Sequence, residues 1–124
     1  MACGDGGDPV AALQEEVLAV HDEVMPKMGE ISRLERAFRK ERDELVQSAQ
    51  PDTARIRLLG EQVDALQFAN QSMMDWMHKF ERPTADQSKE ESLAYLRKEL
   101  ESIQQVKQRI LESLENAQTA SQAP

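Results

Sequence analysis

The chain has 124 residues, room for one domain, and a formal charge of −8. That charge excludes the basic face a nucleic-acid binder uses to neutralise phosphates, and it opposes adsorption to anionic lipid. Aromatic residues make up only 4% while Leu, Glu, Gln, Arg and Lys abound, so helices are expected rather than sheets.

No apolar run approaches the ~20 residues of a membrane-spanning helix. The single cysteine, Cys3, rules out an intrachain disulfide. Met1-Ala2-Cys3-Gly4 has the look of a start codon joined to the end of a lipoprotein signal, where a small residue precedes the cysteine that takes the lipid. Residues 1–8, polar and glycine-rich, read as a flexible tether behind a lipidated Cys3. The bland alternative is an exposed thiol of no consequence.

Asp8-Pro9 opens the first helix, with Asp as N-cap and Pro in the first helical position. A seven-residue apolar beat follows: Val10, Val17, Val24, Ile31, Phe38, Leu45. Leu13, Val20 and Leu34 run beside it, which predicts a coiled-coil-like helix over 9–48. Pro26 lies inside it and predicts a kink near residues 22–26, with Gly29 adding softness. Gln50-Pro51-Asp52 breaks the chain. The beat resumes as Ile56, Leu59, Val63, Leu66, Asn70, Met73, Met77 and Phe80, a second helix over 52–81 with Asn70 as a polar register residue.

Glu81-Arg82-Pro83-Thr84 ends that helix, and Ser88 with Glu91 forms a capping box for a third. Its seam is Leu93, Leu96, Leu100, Ile103, Ile110 and Leu114, with Lys107 as an intruder and a polar tail fraying from Thr119. The expected fold is all-α, an up-down-up antiparallel three-helix bundle with coiled-coil-like packing. A single bundle domain over 9–120 and a disordered tail over 121–124 are expected. The first helix is the longest, so its N-terminal half either overhangs or packs against the ends of the others. A monomer is the expectation, with a dimer as one way to cover an overhang.

Every internal Met and both His residues fall in two short windows: His21, Met25 and Met28, then Met73, Met74, Met77 and His78. If the first two helices fold back near residue 50, position i faces roughly 101 − i, within a turn. His21 is then level with Phe80, Met25 with Trp76, and Met28 with Met73. At about 100° per residue, His21, Met25, Met28, Met74 and His78 share one flank with Met77 on its floor, and Trp76 falls on the other. Ala11, Leu18, Val46 and Phe68 lie on the same side, so the third helix is expected to cover a largely dry groove.

Thioethers and imidazoles together are soft ligands that suit Cu(I), or Ag(I) by the same logic. Hard ions would leave the sulfurs unused, and structural zinc wants thiolate. The candidate metal ligands are therefore His21, Met25, Met28, Met74, Met77 and His78. Imidazole must be neutral to bind, so affinity is expected to fall as pH drops through ~6.5. Packing alone is the competing explanation, since methionine fills irregular core gaps beside a kink. A haem held by one His and one Met is disfavoured because three slender helices leave little room for a porphyrin.

The charge run from Arg33 to Glu44 mixes signs at i,i+4 and reads as a solvated face. Trp76 is a candidate anchor for a protein partner. No Ser or Cys stands by a His with an orienting acid, and no glycine-rich phosphate loop occurs, so no enzymatic activity is expected.

Val20-His21-Asp22-Glu23-Val24-Met25-Pro26-Lys27-Met28-Gly29-Glu30, together with Ala69 to Phe80, resembles a group of small, uncharacterised bacterial envelope lipoproteins, some labelled "viral A-type inclusion protein". The resemblance covers most of the chain, and the two windows are its specific part. It implies an envelope or periplasmic location through Cys3 and no particular activity. The ligand chemistry is separately similar to periplasmic copper chaperones of a different fold. The expected function is storage, delivery or protection of a Cu(I)-type ion, with an envelope metal-trafficking protein as a possible partner. The alternative is a non-catalytic envelope adaptor in which the Met/His cluster is core or a contact surface.

Overall fold

The computed structural model describes residues 7–122. Cys3, the expected lipid acceptor, lies outside them, as does most of the expected tether. Among the described residues four α-helices follow in order: α1 (Pro9–Val24), α2 (Met28–Val46), α3 (Thr53–Lys79) and α4 (Lys89–Gln122). A 3-10 turn, Met25–Lys27, joins α1 to α2. The described residues contain no strand, and none of their helices is long and apolar enough to cross a membrane. The fold is all-helical, with three long helical stretches packed against one another, the first of them broken into α1 and α2.

Local chemistry explains the boundaries. The Asp8 carboxylate accepts from the Val10 N–H at 2.9 Å, with Pro9 in the first helical position. The Asp52 carboxylate accepts from the Arg55 N–H at 3.0 Å and starts α3. Ser88 and Glu91 cap α4 reciprocally: the Glu91 N–H donates to the Ser88 hydroxyl at 3.1 Å, and the Ser88 N–H to the Glu91 carboxylate at 3.3 Å.

The break falls where Pro26 removes a donor. The Met25 N–H still donates to the His21 carbonyl, and the neighbouring Asp22 carbonyl is the one that loses its i+4 donor. The backbone tightens into a 3-10 turn and resumes as α2, with the Met28 N–H on the Met25 carbonyl. The two halves then take different main partners: α1 packs on α4, and α2 on α3, while α3 and α4 also pack on each other. The N-terminal half of the first helix is thus covered by the last one.

Side-chain pairs between the first two helical stretches descend in order. Glu41 meets Arg55 at 2.9 Å, Glu35 meets Gln67 at 3.2 Å, and the His21 and Trp76 rings lie 5.9 Å apart. Numbers rise on one stretch as they fall on the other. His21 is beside Trp76, one turn short of Phe80.

The core contains Val17, Val24, Ile31 and Phe38 from the predicted beat, and Leu96, Ile103 and Ile110 from α4. Each fully buried aliphatic side chain contributes ~1.5–3 kcal/mol. The stripe on α3 departs from expectation in its last three turns. Ala69, Met73 and Trp76 are buried, whereas Asn70 is only half-buried and Met77 is exposed. A wide aromatic surface gains more from burial than a thioether chain, and α3 rotates to enclose it. Lys107 is reconciled with its apolar neighbours by an ion pair with Glu23 at 2.8 Å.

The C-terminus also departs from expectation. Helix α4 does not fray at Thr119 but continues through Gln122, with Ala117 and Ala120 buried. The Arg55 guanidinium donates to the Ala120 carbonyl at 2.7 Å while holding the Glu41 carboxylate. Small residues allow this close approach, and a long-range partner satisfies a helix-end carbonyl.

Candidate functional site: the methionine and histidine windows at the helix break

Both windows come to the level of the break, but their side chains divide between core and surface. Met73 is fully buried and Met28 is 7% exposed, so packing accounts for both. Met25 is half-buried against the core. Met74 and Met77 are each 40% exposed, and His78 is exposed. The expected dry groove under the last helix is therefore not what forms. Val46 and Phe68, assigned to its walls, are 56% and 58% exposed. Trp76, assigned to the opposite flank, is in the core.

The last helix sits on the other side of α3. There the Arg109 guanidinium donates to the Ser72 hydroxyl at 3.2 Å and lies 4.6 Å from the centroid of the Phe68 ring. The flank of α3 toward α2 is marked by Gln67, whose amide donates to Glu35. Seven residues on from Gln67 is Met74, and seven before Glu35 is Met28. Two turns preserve a flank, so Met28 and Met74 occupy positions equivalent to that bonded pair, moved toward the break. Met77 follows Met74 at i+3 and His78 at i+4, one contiguous strip of helix surface. His21, Met25 and Met28 are divided by the break among α1, the 3-10 turn and α2, and His21 packs on Trp76 rather than toward Met74 and His78.

His21 is held from two sides. Its ring packs against Trp76, and Nδ1 lies 3.0 Å from a carboxylate oxygen of Asp22. A carboxylate only accepts, so this contact puts a proton on Nδ1, and in the neutral ring Nε2 is then the nitrogen with the free lone pair. Ligating histidines commonly show this carboxylate–imidazole arrangement. Among the described residues no three His, Cys, Asp or Glu side chains gather as a metal-binding group.

Sequence reasoning missed an aromatic stack that spans the molecule at this height. The rings of Trp76 and Phe80 stack at 4.8 Å, and Phe80 and Tyr95 lie 6.1 Å apart. The Glu81 N–H donates to the Tyr95 hydroxyl at 2.9 Å, tying the α3–α4 connection to α4. Burial pushes the Tyr95 phenol up from its ordinary value; the Glu99 and Glu81 charges add to this, and the Glu81 N–H opposes it. Trp76 and Phe80 at i,i+4 were the available signal. The Trp76 indole N–H is buried without a hydrogen-bond partner among the described residues. No family model, no curated protein and no solved structure matches this chain.

Proposed function

We propose that the chain binds a soft monovalent ion of the Cu(I) type at the methionine-lined seam beside the helix break, and that its role is non-catalytic: storage, delivery or protection. The observation that carries this reading is the exposure of Met74, Met77 and His78 at i, i+3 and i+4 on one helix. Core packing explains Met28 and Met73 but not two methionines left 40% in water beside a histidine. Thioether sulfur is a weak partner for hard ions and a good one for Cu(I) or Ag(I). Met25 and Met28 beside the break, and Nε2 of His21, are the remaining candidate donors. A site open to water suits an ion that must be passed on.

The bundle is read as up-down-up with coiled-coil-like packing, supported by the descending order of contacts from Glu41–Arg55 to His21–Trp76. The reading also includes an envelope location through a lipid on Cys3, after the lipoproteins that the two windows resemble, and an envelope metal-trafficking protein as recipient.

The test is titration of the metal-free full chain with Cu(I) against a competing chelator. Binding tighter than that of a scrambled methionine-rich peptide is expected, with clear weakening in Met74→Leu/Met77→Leu. Affinity no better than the scrambled peptide would remove the proposal. An envelope adaptor is the second reading, favoured by the outward-facing Phe68 ring. A partner retained after all six candidate ligands are replaced by Leu would favour it.

A further inference from the structure

The five methionines of the two windows differ sharply in access to solvent. Met73 is 0% exposed and Met28 7%, Met25 is half-buried, and Met74 and Met77 stand at 40%. Thioethers are readily oxidised, and the product is polar and larger. At Met73 that oxygen would have to enter an apolar interior beside Trp76, whereas at Met74 and Met77 it would project into water. We propose that Met74 and Met77 are methionine-sulfoxide sites, oxidised by small hydroperoxides ahead of the enclosed methionines without unfolding the helices, and that this oxidation switches off soft-metal binding.

The step balances simply. The sulfur lone pair attacks the terminal oxygen of the hydroperoxide, an S–O bond forms and the O–O bond breaks. Sulfur loses two electrons, and the reduced peroxide leaves as water or an alcohol. The soft thioether donor becomes a sulfoxide whose exposed donor is a hard oxygen, which a Cu(I)-type ion binds poorly. The oxidation order stands on access alone; its link to metal rests on the function proposed above.

The full chain is exposed to dilute hydrogen peroxide, quenched at intervals, and the added oxygen is located by fragment-ion mass spectrometry, with Met1 read separately. Met74 and Met77 are expected to react first, Met28 and Met73 more slowly by on the order of tenfold or more because they wait for local opening. Helical circular dichroism should hold through the fast phase, and Met74→Leu/Met77→Leu should abolish that phase. Equal rates at all five positions, or loss of helix with the first oxygen, would overturn the proposal.

Ag(I) binding is then compared before and after the fast phase. Loss on oxidation supports the switch, and undiminished binding by the sulfoxide form overturns it while leaving the metal reading intact. If the untreated chain binds no Ag(I), the metal reading and the switch fail together, and the oxidation order is judged by the mapping alone.

Discussion

Met73 is enclosed, while Met74, the next residue, leaves 40% of its surface in water. Substitutions should divide them. Met73→Ala removes side-chain atoms from a filled core and is expected to cost ~2–5 kcal/mol in urea unfolding. Met74→Leu or Met77→Leu should stay within ~0.5 kcal/mol of the parent. Equal losses at all three positions would mean that the exposed pair is core after all. Tyr95 gives a pH prediction at the same scale. Its phenol is raised mainly by burial above its ordinary 10.0, so the unfolded chain loses this proton first. The Tyr95 contribution to stability is intact below about pH 10 and is lost as pH rises through the folded value. As the only tyrosine, it can be followed by its ultraviolet absorbance, and ionisation above the free phenol is expected.

Gly29 lies in the first turn of α2, and a Cβ built there meets nothing within 4 Å. Gly29→Ala should therefore stabilise by ~0.5–1 kcal/mol through the unfolded chain, seen as a higher denaturant midpoint. A loss instead would show that the softness beside the Met25–Lys27 turn is needed for α1 and α2 to reach different partners. The caps at Asp8 and Ser88 were legible because each is local chemistry within three residues, whereas Asp52, read only as part of a break, is the cap that starts α3. The extension of α4 through Gln122 was not. Its polar, small-residue sequence carries no helix signal beyond propensity, and its partner Arg55 is 65 residues away.

Over the whole molecule, Arg55 joins three elements, holding Glu41 of α2 and the Ala120 carbonyl of α4 from its place in α3. The guanidinium is half-buried, and its hydrogen bond to Glu41 raises its already high proton affinity. Arg55→Met keeps the stem but deletes these bonds. Amide exchange over residues 117–122 is expected to rise, while protection around Ile103 should be unchanged. If the far end of α4 kept its protection, the Arg55 bridge would not be what holds it. At the opposite end the stack from His21 to Tyr95 has the corresponding place, bringing the break, the end of α3 and the start of α4 together.

The amino-acid order alone settled what depends on neighbours: helix type, the caps at Asp8 and Ser88, the break at Pro26 and the rough level at which the methionine windows meet. Periodicity carries that much because a helix repeats every 3.6 residues and a missing N–H acts on its own turn. Tertiary structure alone decided which edge of α3 turns inward. Angular arithmetic centres the seam on Met77 and leaves Trp76 about 100° round on a flank, and only packing against other helices gives the interior to the indole and the surface to the thioether. That rotation of α3 is why Met74, Met77 and His78 lie open to water.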